Sequence, residues 1–128
     1  MQIRHAVIKV DDQDKALAFY TDVLGFEKRG DLAGPIRWLT VGARGGGGVE
    51  LVLEPNHMPP ARASQKALYE GGFPATILST DDIRAEFDRL RALGVQFRGE
   101  PTTMGPVSFV FFDDTCGNLI VLNQRVDG

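Results

Sequence analysis

His5-Ala-Val-Ile-Lys-Val-Asp-Asp12 and Ala75-Thr-Ile-Leu-Ser-Thr-Asp-Asp82 read as two versions of one segment. Each is followed by an amphipathic stretch that closes on a Leu-Gly pair, Leu24-Gly25 in the first case and Leu93-Gly94 in the second. Asp11 and Asp81, Asp12 and Asp82, and Leu24 and Leu93 are therefore counterparts. The chain is two copies of a strand-helix-strands module, which makes the fold class α+β. The repeat also supplies an internal comparison, because a candidate site residue in one half can be checked against its partner in the other.

Outward from these segments, a chain of 128 residues is long enough for one core and too short for two independent domains, so the halves must share an interior. We expect a single domain over residues 1–128, with module one at about 1–54, a linker at 55–72 and module two at about 73–126. A hydrophobic content of 43% with 24% charged residues is that of an ordinary soluble protein, and a net charge of −3 gives no electrostatic reason to bind nucleic acid or an anionic membrane. No segment approaches the roughly 20 apolar residues of a membrane span, and the N-terminus has no signal-like pattern. The expected location is cytoplasmic. One cysteine can form neither an internal disulfide nor a thiolate metal cluster.

Residues 3–10 form a Val- and Ile-containing run of strand length, ended by Asp11 and Asp12, whose side chains suit a helix N-cap. In the helix expected over 13–24, Ala16, Phe19, Tyr20 and Val23 fall on one apolar face, and Gly25 stands at the C-terminal cap position. Strands are expected at 26–29, 36–42 and 49–54. The glycine run 45–48 leads into a strand rather than a helix, so it predicts a hairpin tip and not a phosphate loop. The linker, with His57, Met58 and a Pro59-Pro60 pair, is read with at most one helical turn near 65–69. Module two repeats the pattern with a strand at 75–80, a helix at 82–93 with Ile83, Phe87 and Leu90 inward, and strands at 95–98, 107–112 and 119–123. Asp114-Thr-Cys-Gly-Asn118 reads as a turn carrying Gly and Asn where positive backbone dihedrals are easiest.

Two βαβββ modules with Asp-capped first helices, the segment Lys15-Ala-Leu-Ala-Phe-Tyr-Thr-Asp-Val-Leu-Gly-Phe26, and Asp-Thr-Cys-Gly-Asn-Leu-Ile before the last strand resemble the vicinal oxygen chelate superfamily. That group includes glyoxalase I, bleomycin-resistance proteins, fosfomycin-resistance enzymes and extradiol dioxygenases. The resemblance covers nearly the whole chain and implies a cupped mixed sheet around a central cavity. It does not fix an activity, since one scaffold carries many. In metal-dependent members, a divalent ion is held by one residue on the first strand and one on the fourth strand of each module. Those positions fall on His5 and Glu50 in module one, a donor pair suited to Zn, Ni, Mn or Fe(II). In module two they fall on Ala75 and, aligning Val49-Glu50-Leu51 with Ile120-Val121-Leu122, on Val121, which have no lone pair to donate. The expectation is no cofactor and no tightly held metal, with His5 and Glu50 as the ligands if one binds.

Alternation puts His5, Val7 and Lys9 on one face of the first strand, and Glu50 with Val52 on one face of theirs; a carboxylate in the cup is either exposed or paired, His5 is its expected partner, and the pair is the candidate general base. Trp38, Phe109 and Phe111 are candidate walls of the cup, or else core residues. With Ala75 and Val121 they complete the expected ligand-binding set. His57 could replace a missing ligand, but a solvated linker histidine is the default. Cys116, inside a tight turn with nothing basic beside it, reads as structural rather than reactive. Arg4 and Arg37 could attract an anion, though solvent is their default.

The resulting expectation is a metal-independent member of the family that binds a small organic molecule between its modules, as a homodimer that covers exposed sheet edges. The alternative is a metal-dependent lyase, isomerase or dioxygenase using His5 and Glu50 with ligands from elsewhere. A third reading is an interaction module without a ligand.

Overall fold

The computed structural model describes residues 1–126; residues 127–128, the end of the expected domain, lie outside the described residues. Module one comprises β1 (His5–Val10), α1 (Gln13–Ala18), β2 (Glu27–Leu32), β3 (Trp38–Gly42) and β4 (Glu50–Pro55). A helix, α2 (Pro59–Glu70), leads into module two, which comprises β5 (Thr76–Ser79), α3 (Ile83–Ala92), β6 (Thr102–Met104), β7 (Val107–Asp113) and β8 (Leu119–Arg125). The strands form two mixed four-stranded sheets of the same order, β1-β4-β3-β2 and β5-β8-β7-β6. In each, the first strand pairs parallel with the fourth and the remaining pairs are antiparallel. Two βαβββ modules in an α+β fold are thus present, an arrangement consistent with a cupped sheet.

The repeat is built by the same local chemistry in both halves. The Asp12 side chain accepts the N–H of Lys15 at 3.0 Å, and its counterpart Asp82 accepts the N–H of Ala85 at 3.0 Å, each satisfying an otherwise unpaired donor in a first helical turn. At the other ends Gly25 and Gly94 both adopt positive φ, +91° and +94°, where a Cβ would be strained. Ala16, Phe19 and Tyr20 from the first helix and Ile83, Phe87 and Leu90 from α3 then enter one continuous core with Ile8, Val10, Leu39, Val41, Val110, Phe112, Ile120 and Leu122. The two modules share a single interior, as the length of the chain requires.

Four local readings of the sequence need correction. The helix expected over 13–24 is α-helical only to Ala18 and continues as a π-helical turn, Phe19–Val23, with the Leu24 N–H on the Phe19 carbonyl. The connection 55–72 holds far more than one helical turn; Pro59 and Pro60 sit at the first helical positions, where a missing N–H is harmless, and start a twelve-residue helix that Gly71 ends. The strand expected at 95–98 is reduced to a single bridge, Phe97 to Phe112, between Gly94 and Gly99 at positive φ, and the edge strand is β6. In the 114–118 turn the residues at positive φ are Thr115 (64°) and Gly117 (100°); Asn118 contributes through its side chain instead.

That turn joins the halves. The buried Asp114 carboxylate accepts the Tyr20 hydroxyl at 2.8 Å, the Asn118 side-chain amide at 2.8 Å, and the N–H groups of Cys116 and Asn118 at 2.8 and 3.0 Å. Asn118 also donates to the Lys9 carbonyl in β1 at 2.7 Å, and the Asp11 N–H donates to the Cys116 carbonyl. Burial pushes the Asp114 carboxyl above the usual carboxylate range against the opposing pull of these donors, and burial with the nearby carboxylate holds the Tyr20 phenol well above its usual value. Asp114→Ala would strand four donors away from water and is expected to cost about 3 kcal/mol or more, whereas Tyr20→Phe, which removes one partner, should cost roughly 1–2 kcal/mol. Urea unfolding of the two variants checks the order; equal and small losses would show that the turn is not a structural node.

Candidate functional site

The parallel ladder of module one sets His5 directly beside Glu50, and the antiparallel ladder brings in β3 with Thr40 opposite Val52. One face of this sheet therefore carries His5, Trp38, Thr40 and Glu50 together. The His5 ring stands edge-on to the Trp38 indole, 5.3 Å between centroids at 67°. Glu50 accepts the buried Thr40 hydroxyl at 2.8 Å, while His5 Nε2 lies 3.8 Å from its Oε1, beyond hydrogen-bond length. Thr40, not His5, is thus the hydrogen-bond partner of Glu50. The spacing of residues 38 and 40 places the threonine on this face, but only the tertiary register reveals which side chain reaches the carboxylate. His5, Glu50 and Trp38 are each roughly 40% exposed, so the face is open to solvent.

Module two builds the corresponding face from hydrocarbon. Val121 pairs with Ile77 on one side and Phe111 on the other, and Phe109 follows Phe111 with their rings 6.0 Å apart. Val121 is buried, whereas Ile77 is 59% exposed. The ladder also refines the comparison of the halves. Thr76 lies opposite Ile120 as its counterpart Ala6 lies opposite Leu51, which matches Glu50 by register with Leu119 rather than with Val121. Leu119 and Val121 are both aliphatic, so either alignment leaves module two without a donor. Among the described residues, no group of three or more His, Cys, Asp or Glu side chains could hold a metal ion. The donor set does not fit the four-residue metal site of the metal-dependent relatives.

The other candidates lie elsewhere. His57 is exposed, and the Pro55 carbonyl lies 3.4 Å from its Nδ1. Arg37 is occupied by Asp31, with two contacts of 2.8 Å, and by Asp14 at 2.7 Å, so its guanidinium is committed to the surface of module one. Arg4 is exposed beside β1. Cys116 is buried, and burial with the nearby Asp114 carboxylate pushes its thiol up to about 12, which keeps it protonated and unreactive at neutral pH. Residues 45–48 form an exposed tip between the antiparallel β3 and β4, all four glycines at positive φ, in the hairpin role that their context predicts.

A cavity of about 300 Å³ opens where the two modules meet, and it is not centred on His5 and Glu50. Val7 and Lys9 from β1 and Ala75 and Leu119 from module two line it, and α2 contributes Ala61, Gln65, Leu68 and Tyr69. Of the expected ligand-binding residues only Ala75 borders it. Sequence reading missed this place because it treated the residues of α2 as linker.

No helix among the described residues is long and apolar enough to cross a membrane. The model of the Glyoxalase/Bleomycin resistance protein/Dioxygenase superfamily matches residues 2–122. Among curated proteins, YurT of Bacillus subtilis is 48% identical over 127 residues, covering 98% of this chain and all of that protein. Among solved structures, UcmS2 superposes with a TM-score of 0.84 at 36% identity, covering 96% of this chain and 97% of its own. TnmS3, an antibiotic binding protein from Streptomyces sp. CB03234, gives a TM-score of 0.78 at 31% identity, covering 98% and 96%. A repeat legible in the sequence, paired sheets of identical order and a family match over almost the whole length agree: the chain belongs to the Glyoxalase/Bleomycin resistance protein/Dioxygenase superfamily.

Proposed function

We propose that this protein is a metal-independent binder of a small organic molecule, held between its two modules. The observation that carries the reading is the asymmetry of the repeat: where module one has His5 and Glu50, module two has Ala75 and an aliphatic residue, Val121 or Leu119. Two protein donors leave most of a divalent ion's shell to water, whereas the usual catalytic arrangement has at least three. The same substitutions leave the module-two face of Ile77, Phe109, Phe111 and Val121 apolar, the kind of wall that small-molecule pockets use. That the similar TnmS3 is an antibiotic binding protein supports the class of ligand. Elemental analysis of purified protein, after exposure to Ni, Zn, Mn and anaerobic Fe(II), tests the metal. The reading predicts well under one ion per chain in wild type and Glu50→Ala alike. Stoichiometric metal that Glu50→Ala removes would overturn it in favour of a lyase, isomerase or dioxygenase using His5 and Glu50.

The proposal includes a homodimer working in the cytoplasm. Its support is the set of large apolar side chains exposed on one chain: Leu32 at 66% in β2, Met104 at 69% in β6 and Ile77 at 59% in β5. Analytical ultracentrifugation at micromolar protein should give the mass of two chains, and Leu32→Glu with Met104→Glu should shift it toward one; a concentration-independent monomer would contradict the dimer.

A further inference from the structure

Helix α2 runs for twelve residues and buries none of them. A helix in a folded protein ordinarily gains most of its stability by packing an apolar face. Here Ala61 and Leu68 point that face toward the cavity of about 300 Å³ between the modules, where Val7, Ala75 and Leu119 form the opposite wall. Leu68 is 46% exposed, Val7 56%, and Phe73, just beyond the helix at the rim, 61%. What fixes α2 is polar instead. Gln65 Nε2 donates to the carbonyls of Lys9 (2.9 Å) and Cys116 (3.2 Å) and to Asn118 Oδ1 (3.1 Å), while its Oε1 accepts from Asn56 at 2.8 Å. The Tyr69 hydroxyl donates to Asp113, and the Arg98 guanidinium lies 5.1 Å from the Tyr69 ring centre. A side chain at Gly117 would place its Cβ 2.8 Å from Gln65 Nε2, so the glycine is what allows this approach.

These bonds also determine what the cavity accepts. Its polar lining residues are Lys9, Ser64, Gln65, Tyr69 and Asn118. Lys9 is paired with Glu54, Gln65, Tyr69 and Asn118 are bonded as described, and Ser64 is exposed to water. A charged ligand would give up hydration and find no unpaired counter-charge, whereas a neutral apolar one would cover Val7, Leu68 and Phe73 without breaking any of these bonds. The volume lies at the small end of ligand pockets. We infer that the cavity beneath α2 is the binding site for a compact, neutral, predominantly apolar molecule, which completes the packing of that helix. The inference rests on the small-molecule reading above, narrows its ligand, and moves its place from the face of Ile77, Phe109, Phe111 and Val121 to the cavity under α2.

Naphthalene serves as the probe, with 2-naphthoate as its charged counterpart, titrated into ¹⁵N-labelled full-length protein and followed by NMR. Binding should shift the amides of Val7, Gln65, Leu68 and Ala75, with 2-naphthoate at least tenfold weaker. Ala75→Trp, at an exposed position where a large side chain should fill the cavity without disturbing the core, should weaken naphthalene at least tenfold while leaving the amide spectrum of β3 and β7 unchanged. Shifts centred on His5, Trp38 and Glu50 that persist in Ala75→Trp would overturn the site while leaving the broader small-molecule reading intact. Equal affinity for 2-naphthoate would overturn the ligand class. No shift anywhere, with naphthalene or with a library of small organic molecules, would overturn both readings.

Discussion

Everything else in the molecule depends on the buried carboxylate of Asp114. It gathers a hydroxyl from the first helix, an amide side chain and two backbone N–H groups into one point inside the shared core. A buried acceptor without donors would be costly, and so would these donors without it, which makes the carboxylate the member whose loss costs most. Through Asn118 the same point reaches the Lys9 carbonyl in β1, and Gln65 of α2 reads that same carbonyl together with Cys116. β1 and β5 belong to separate hydrogen-bonded sheets. The side chains of the 114–118 turn and α2 therefore do what a ladder between the two sheets would otherwise do, and the cavity is the space left beneath that clasp.

The repeat explains the scaffold, and its breakdown explains why the two sheet faces differ. Backbone features that set the fold are duplicated: the Asp12 and Asp82 caps, the Gly25 and Gly94 stops, and the sheet order. Side chains facing away from the helices have diverged. Module one keeps His5, Thr40 and Glu50 beside Trp38, while module two presents Ile77, Phe109, Phe111 and Val121. The symmetric scaffold thus carries one polar and one apolar face.

The duplicated features were the ones legible in the sequence, because caps, stops and apolar periodicity are local signals that state their own position. Inward Ile83, Phe87 and Leu90 follow from spacing alone and are buried as expected. What was not legible depends on contacts distant in sequence. Pro59-Pro60 signals a linker or a helix start equally well, and the bonds that decide for a helix come from Lys9, Cys116, Asn118 and Asp113. The alignment of Glu50 with Val121 follows the local Glu-Leu and Val-Leu pairs, whereas ladder register moves the match to Leu119. Thr40 as partner of Glu50 and Ala75 at the rim of a cavity likewise emerge only once strands are paired.

Native-state hydrogen exchange tests most directly whether the clasp makes two modules one unit. If it does, the amides of Cys116 and Asn118 exchange only through global unfolding, at the same free energy as Leu39 in β3 and Val110 in β7. If the amides of module two instead opened together at a free energy about 2 kcal/mol or more below those of module one, the halves would be separately stable and the account of the junction would be wrong.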